Sequence, residues 1–351
     1  MLSRYRIAQQ APRLYLSFYR TFFQKKYRNY VAQAYREIEE HNQLPFPEKI
    51  AATEARIQDM VNETLVWGTC YEEYFTYRFD IKDNTQRRKY ILNATRDEAC
   101  RHINQPEAQA ILLDKYRCSQ HFKDFYGRPT FLLSENTPIE EFLRFTESLN
   151  AVVVKPLSQC AGRGVHKLEG TSKEDWQQHF EAIQRDGGNH IIEGLIPQAE
   201  ELGQWHPNSL NTIRAYTLLV DGKFTVFGTF LRCGRGGSFI DNCCAGGLMA
   251  AINSATGRIF TTASDVFGNR FDHHPDSGLQ FFDAQIPHWD SLLDMLSTLA
   301  HRIPELGYVA WDMALTPSGW VMVEGNKGQF FTAQLTLNLG LQEEFNKAIN
   351  G

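Results

Sequence analysis

A lysine at the end of a short apolar strand, followed by a glycine-rich loop, is the first group of residues that could do chemistry. Residues 152–154 are all valine and lead into Lys155, and Gly162, Arg163 and Gly164 follow shortly after. Glycines allow the backbone to approach a ligand closely and to point N–H groups at phosphate oxygens. The segment predicts a phosphate-binding loop with a lysine beside it. The alternative is a β-hairpin that carries a surface lysine.

Three oxygen-bearing side chains form the second group. Two apolar runs joined by a turn at residues 316–319 predict a pair of antiparallel strands, which carry Asp312 on the first strand and Glu324 and Asn326 on the second. Side chains two apart on a strand share a face, and strand pairing would bring all three together. Hard oxygen ligands are what Mg²⁺ requires. The group predicts a magnesium site, and the alternative is a set of solvent-facing polar positions on an edge strand.

The third group lies in residues 190–202, where an apolar strand ends in Glu193 and runs into a segment with Ile196 and Glu200. Taken alone, it is a connection between a strand and a loop. Beside a phosphate loop, the same segment can serve as a hinge whose backbone binds adenine, with the later glutamate on the ribose hydroxyls.

The order of these three groups resembles the ATP-grasp superfamily, which includes D-alanine–D-alanine ligase and the glutamate-ligase-like enzymes. The sequence is similar in particular to the sugar-transfer-associated ATP-grasp group. The segments that carry this likeness are Asn-Thr-Ile-Arg at 211–214, Asp-Asn at 241–242 before Gly246 and Gly247, Val-Ala-Trp-Asp at 309–312, and Glu-Gly-Asn at 324–326. The resemblance covers roughly residues 106–351, and it implies a fold in which two α+β lobes hold ATP between them.

The resemblance also implies which positions contact the nucleotide. Two lysines would bind it, the glycine loop would cover its β- and γ-phosphates, and a hinge would hold the adenine and ribose. In that order, these residues are Lys115 and Lys155, then Gly162, Arg163 and Gly164, then Glu193, Ile196 and Glu200. Lys115 has an alternative interpretation as a surface lysine near the start of a helix.

Five further residues take their roles from the same resemblance. Asp312, Glu324 and Asn326 would hold Mg²⁺, and Arg214 and Arg232 would stabilise the transferring phosphoryl group or an acyl phosphate. Arg214 begins an apolar strand, where an unpaired guanidinium is costly, so a phosphate or acidic partner is favoured. Arg232 lies in a glycine-rich segment whose alternative role is that of a mobile loop.

The implied activity is that of an ADP-forming carboxylate–amine ligase. It would use ATP and Mg²⁺ to form an amide from a small-molecule carboxylate and an amine through an acyl phosphate. A sugar acid or an amino acid in glycan or natural-product biosynthesis would be the substrate. Two alternatives stay open: a kinase that uses the same nucleotide site, and a non-catalytic nucleotide-binding module.

The elements that must position these residues fall into two regions, one with the pattern of helices and one with the pattern of strands. Residues 1–105 predict helices, because apolar side chains recur at spacings of three and four and glycine is nearly absent. Beyond residue 127, short β-branched runs predict strands, with antiparallel pairs near 213–231 and 307–325. The predicted fold class is therefore α+β, as an ATP-grasp fold preceded by a helical region. The predicted divisions are a helical region over 1–105, a small lobe over 106–196 and a large lobe over 197–351.

Composition excludes some classes of protein. A net charge of -5 argues against a nucleic-acid binder, which normally carries a basic excess. The seven cysteines are an odd number at irregular spacing, which favours reduced thiols in a cytoplasmic protein. Adjacent histidines at 273 and 274 are expected to be exposed, and they are left out of the site.

The first 36 residues differ from the rest of the chain, because they contain eight basic residues and no Asp or Glu. They are also rich in aromatic residues. One interpretation is an amphipathic helix that lies on an anionic membrane or contacts a protein. The other is a helix packed on the body of the protein, with its aromatic side chains buried. Packing is favoured because tyrosines occur on several faces of the predicted helix.

Overall fold

The computed structural model describes residues 4–157, 164–238, 241, 246–328 and 330–350. Seven helices form the first part of the chain, which confirms the helical prediction. They are α1 Arg4–Gln10, α2 Pro12–Phe22, α3 Gln24–Gln43, α4 Glu54–Trp67, α5 Tyr71–Thr76, α6 Asn84–Arg87 and α7 Asn93–Ile103. Local chemistry sets the ends of α4: the Thr53 side chain accepts a hydrogen bond from the Arg56 amide, and Gly68 ends the helix with φ +79°.

The second part of the chain forms a four-stranded antiparallel sheet with its helices. In chain order, its elements are α8 Pro106–Leu113, α9 Lys115–His121, α10 Lys123–Tyr126, β1 Thr130–Leu133, α11 Ile139–Thr146, β2 Ala151–Pro156, β3 His166–Glu169, α12 Lys173–Asp186 and β4 His190–Gly194. The strand order is β1-β4-β2-β3. Because α11 and α12 bury Phe142, Trp176 and Ile183 against Val152 and Val154, this sheet has a core of its own.

The third part forms a seven-stranded sheet with the order β11-β10-β5-β6-β7-β8-β9. In chain order, its elements are α13 Glu200–Gly203, β5 Thr212–Val220, β6 Lys223–Cys233, β7 Leu248–Ile252, β8 Ala263–Ser264, β9 Arg270–Phe271, α14 Trp289–Arg302, β10 Tyr308–Thr316, β11 Gly319–Asn326, α15 Phe331–Leu337 and α16 Gln342–Asn350. Both predicted strand pairs are antiparallel. With two antiparallel sheets and surrounding helices, the α+β prediction is confirmed.

The two faces of the large sheet bury different clusters. Trp311 and Met313 point into a large core shared with α14 and with α8 to α10. Tyr308 and Ala310 point the other way, into a smaller core with Phe330 and Phe345. Alternation along β10 therefore places residue 312 on the side of the smaller core. The helices α8 to α10 all contact β11, and α9 also contacts β1 of the small sheet. The division of the chain at residues 105 and 196 stays a prediction.

The N-terminal helices are joined to the sheets by buried polar contacts. The Gln334 side chain donates to the Ile91 carbonyl and to the Tyr77 hydroxyl, both at 2.9 Å, and accepts from the Ile91 amide at 2.8 Å. Asn104 makes a paired contact with the backbone of Tyr308. These contacts fix the helical region against the large sheet. Among the described residues, no helix is both long enough and apolar enough to cross a membrane.

Candidate active site

An arginine–aspartate cluster lies on neighbouring strands of the large sheet. Arg214 on β5 stands directly opposite Asp312 on β10. Its Nε and Nη2 atoms donate to the two carboxylate oxygens at 2.5 and 2.9 Å. Arg232 on β6 lies 3.3 Å from the same carboxylate. Burial by itself would raise the pKa of Asp312, but the charges of Arg214 and Arg232 outweigh burial and lower it. The expected acidic partner of Arg214 is therefore Asp312.

The predicted metal ligands are brought together by strand register. Glu324 on β11 pairs with Asp312, and Asn326 pairs with Ala310. The Asn326 side chain lies 3.4 Å from Glu324, and its oxygen accepts from the Gly328 amide at 2.7 Å. Burial and the nearby charge of Asp312 raise the pKa of Glu324, against the opposing charge of Lys155. Two adjacent carboxylates and an amide oxygen form a hard donor set, and a divalent cation would neutralise the repulsion between the acids.

The residue types of this donor set indicate which metal ion it would bind. In the described part of the chain, no three His, Cys, Asp or Glu side chains group closely enough to hold a metal ion. The set at β10 and β11 has two carboxylates, with an amide as its third member. That composition suits magnesium better than zinc, which prefers nitrogen and sulfur ligands.

Glu193 is the centre of a second charged cluster, on the small sheet. Its carboxylate accepts from Arg128 Nε at 2.9 Å and from Lys155 Nζ at 2.8 Å. Burial alone would raise the pKa of Glu193, but the charges of Arg128 and Lys155 lower it to about 2. The carboxylate is taken up by these two cations, and the Glu193 backbone lies in a strand that is paired with β1 and with β2. The role of Glu193 in the hinge stays a prediction.

Arg128 connects the two sheets. Besides Glu193 on β4, it donates to the carbonyls of Met322 and Val323 on β11, both at 2.8 Å. Its side chain is almost fully buried, with 1% exposed. The preceding Gly127 has φ +59°, and a Cβ there would lie 2.5 Å from the Val321 side chain. A glycine is therefore needed for this close approach between the turn and β11.

The remaining nucleotide-contacting predictions lie near opposite ends of β4, which runs antiparallel to β2. Lys115, the first residue of α9, donates to the carbonyl of Pro156 at 3.1 Å, directly after Lys155 on β2. Ile196 is half-buried in the segment that follows β4, and Glu200 is exposed at the start of α13. The structure thus brings Lys115 close to the strand of Lys155. Among the described residues, no hydrogen bond or ion pair joins Ile196 or Glu200 to Lys155.

The predicted phosphate loop is only partly described. Gly162 and Arg163 lie outside the described residues. Gly164 has φ +67°, a conformation that favours glycine, and its carbonyl lies 3.1 Å from His166 Nδ1. The loop connects β2 to β3, as the strand prediction on either side requires.

Sequence reasoning missed two residues of the site. Arg128 stands alone between a glycine and a proline, and no motif marked it. Asp241 was given no role of its own, but it is buried and accepts hydrogen bonds from Thr212 and Arg232. Burial raises the pKa of Asp241, although the charge of Arg232 opposes the shift. The signal that could have identified it is its position in Asp-Asn before two glycines, within the likeness described above.

The glycine-rich segment after Arg232 is held by histidines. His206 Nε2 lies 2.8 Å from the Gly236 carbonyl, and His274 Nε2 lies 2.8 Å from the Gly234 carbonyl. His274 is buried, so the expectation that both adjacent histidines are exposed is wrong for this one. Its ring is occupied by backbone groups, which explains the burial. The segment is therefore supported at two points. Arg232 itself lies on β6, paired with Thr212, so the prediction that it lies in the glycine-rich segment is wrong.

Two sheets that meet at a cluster of lysines, arginines and paired acids define the ATP-grasp class of proteins. The particular family follows from residues 95–350, which match the model of the family described as sugar-transfer associated ATP-grasp. Because the match covers well over half of the 351 residues, the chain belongs to this family. The match begins inside α7 and leaves α1 to α6 outside it.

Solved structures with a similar fold include three ligases. D-alanyl-alanine synthetase A from Vibrio cholerae is 15% identical, with a TM-score of 0.42 and 67% of each chain covered. The ATP-grasp ligase PsnB, in complex with a minimal precursor, is 14% identical over 70% of this chain, with a TM-score of 0.43. The D-Ala:D-Ser ligase VanG from Enterococcus faecalis is 16% identical over 67% of this chain, with a TM-score of 0.42.

The chain spans 61% of the length of PsnB and 58% of the length of VanG. No curated protein matches the chain.

Proposed function

We propose that this protein is an ATP-dependent ligase that joins a small-molecule carboxylate to an amine and releases ADP and phosphate. The observation that supports it is the contact of Arg214 and Arg232 with the buried carboxylate of Asp312, which stands opposite Glu324 on the neighbouring strand. Membership of the sugar-transfer associated ATP-grasp family supports ATP as the nucleotide. A sugar acid or an amino acid in glycan or natural-product biosynthesis fits the family description as the carboxylate.

The nucleotide would lie between the two sheets. Lys115 and Lys155, at one end of the small sheet, supply positive charge for its phosphates, together with the backbone of residues 162–164. The segment from Glu193 to Ile196, which includes the end of β4, would hold the adenine through backbone groups, and Glu200 would bind the ribose. This placement is supported by the contact of Lys115 with the end of β2.

Asp312, Glu324 and Asn326 would hold Mg²⁺. A divalent cation there neutralises phosphate charge and favours the ionised form of Glu324. Arg214 is already oriented by Asp312 and lies beside the same carboxylates. With Arg232, it can stabilise negative charge that develops on a transferring phosphoryl group, without a large reorganisation.

The proposed reaction has two steps. First, a carboxylate oxygen of the substrate attacks the γ-phosphorus, a new P–O bond forms, and the bond to the β-phosphate oxygen breaks to release ADP. The amine nitrogen then attacks the carbonyl carbon of the acyl phosphate, inorganic phosphate leaves, and the nitrogen loses a proton as the amide forms. The protein supplies position and charge in both steps, so no nucleophilic side chain is required.

A nucleotide-product assay tests the proposal. The protein is incubated with Mg-ATP and a pool of amino acids and uronic acids, beside Glu324→Gln and the matched exposed control Glu344→Gln. We expect ADP and phosphate only when a carboxylate and an amine are both present, with at least about a hundredfold loss in Glu324→Gln and none in the control.

Other products would contradict the ligase. ADP with a stable phosphorylated product would indicate a kinase, and AMP with pyrophosphate would exclude the acyl phosphate. Binding of Mg-ATP without turnover on any pool would favour a nucleotide-binding module. Thermal shift with Mg-ATP measures that binding independently of turnover.

A further inference from the structure

The helix α2 presents an apolar stripe to solvent. Leu14, Phe18 and Phe22 lie four residues apart on one face, and their side chains are 72%, 48% and 69% exposed. The rings of Phe18 and Phe22 lie 4.8 Å apart, and Phe23 joins them at 5.9 Å from Phe18. Large apolar side chains that adjoin one another on a surface mark an interaction site more often than scattered ones do.

The opposite face of α2 is already used for packing. Tyr15, Leu16 and Tyr19 pack against the buried cluster of the N-terminal helices. Arg20 on α2 donates to the side chain of Gln58 on α4 at 2.9 Å, and Tyr27 on α3 donates to the same side chain at 2.5 Å. The predicted packing of this region is therefore correct for one face only. Because that face is fixed, the stripe of Leu14, Phe18 and Phe22 cannot turn inward without breaking these contacts.

The surroundings of the stripe are cationic. Residues 1–36 contain eight basic residues and no acidic ones. Lys26 Nζ lies 5.6 Å from the centre of the Phe23 ring, and Lys25 and Arg28 on the same helix are exposed. Aromatic and aliphatic side chains flanked by cations, on a helix held at the surface, are the features of a helix that lies in a membrane interface.

We propose that the outward face of α2 and the start of α3 dock on an anionic lipid surface, with Leu14, Phe18 and Phe22 inserted among the lipids. The cations nearby would contact the lipid headgroups. This surface lies outside residues 95–350, the part that matches the ATP-grasp family. The proposal is thus independent of the ligase activity, and it gives the N-terminal helices a role in placing the enzyme at a membrane.

Vesicle flotation of the full chain tests the proposal. The probes are phosphatidylcholine vesicles with and without phosphatidylglycerol. The apolar variant is Leu14→Ser with Phe18→Ser and Phe22→Ser. Its matched control changes three exposed apolar residues elsewhere, Ile81→Ser with Phe260→Ser and Phe282→Ser.

The charge variant is Lys25→Gln with Lys26→Gln and Arg28→Gln. Its matched control is Lys173→Gln with Lys223→Gln and Arg185→Gln, which are also exposed. We expect the protein and both controls to float with the phosphatidylglycerol vesicles only. Each test variant should bind at least about tenfold more weakly than its control. Added salt should weaken binding of the unsubstituted chain.

Three results would overturn the proposal. These are absence of flotation, flotation of the apolar variant equal to that of its control, and equal binding to vesicles without phosphatidylglycerol. Circular dichroism and thermal unfolding of each variant establish that it is folded. Self-association in sedimentation velocity that the apolar variant abolishes, without vesicle binding, would assign the stripe to contact between copies instead.

Discussion

Asp312 and Arg214 face each other across β10 and β5, and the guanidinium binds both oxygens of the carboxylate. The Asp312 side chain is 1% exposed and that of Arg214 is 13% exposed. Such a pair is stable only while both charges are present, because a lone buried charge loses its hydration without compensation. The pair thus keeps a carboxylate ionised and an arginine oriented in the same small volume.

Replacing Asp312 should cost stability as well as activity. We expect Asp312→Asn to lower the free energy of unfolding by about 3 kcal/mol, because Arg214 and Arg232 stay buried without their shared anion. The measurement is urea unfolding followed by circular dichroism. The matched control is Asp283→Asn, which breaks the exposed pair with Arg258 and should cost less than about 1 kcal/mol. Equal losses in the two variants would contradict this account of the buried pair.

Glu193 should make stability depend on pH in the acid range. Its pKa is lowered from 4.5 to about 2 in the folded protein, because Arg128 and Lys155 outweigh burial. A lowered pKa means that the stabilisation is complete above the ordinary value and disappears as the pH falls through about 2. The contribution is on the order of 3 kcal/mol.

We therefore expect Glu193→Gln to remove part of the acid dependence of unfolding. The difference in the free energy of unfolding between about pH 5 and about pH 3 should be smaller in this variant than in the unsubstituted protein. Glu344→Gln, at an exposed position, is the matched control. A variant whose pH dependence equals that of the control would show that Glu193 is not held by the two cations.

Arg128 should hold the two sheets together. Arg128→Lys keeps the charge but cannot donate to Glu193 and to both carbonyls of β11 at once. We expect faster hydrogen exchange at β4 and β11, and a loss of about 2 kcal/mol in stability. The control is Arg302→Lys, in an exposed pair with Asp124. Unchanged exchange in β11 would mean that other contacts suffice to join the sheets.

Gly328 should resist substitution for a steric reason. It has φ +41°, and a Cβ there would lie 2.2 Å from the Cβ of Ala310 on β10. Gly222 has φ +76° but no atom within 4 Å of such a Cβ, so it isolates the cost of the backbone conformation. We expect Gly222→Ala to cost about 1 kcal/mol and Gly328→Ala at least twice that, with weaker binding of Mg-ATP in thermal shift. Equal costs would exclude the clash.

The local elements of this protein could be predicted from its sequence. The start of α12 is set by its N-cap residue, Ser172, and β10 and β11 are joined by a short turn. Both features depend on neighbours a few residues apart. The meeting of Asp312 and Glu324 is different, because the register set by the turn would place Val323 opposite Asp312. A register shift between Asp312 and Met313 brings Glu324 there instead. The helix start and the turn follow local rules, and such rules can be applied to a single sequence.

Only the tertiary structure decided the partners of the buried charges. Arg128 and Glu193 lie 65 residues apart, and Arg214 and Asp312 lie 98 apart, so no local spacing pairs them. The faces of α2 follow the same logic. Its sequence contains two apolar stripes, one with Tyr15 and Tyr19 and one with Phe18 and Phe22. Which stripe is covered depends on where α4 packs, and periodicity within one helix carries no information about that contact.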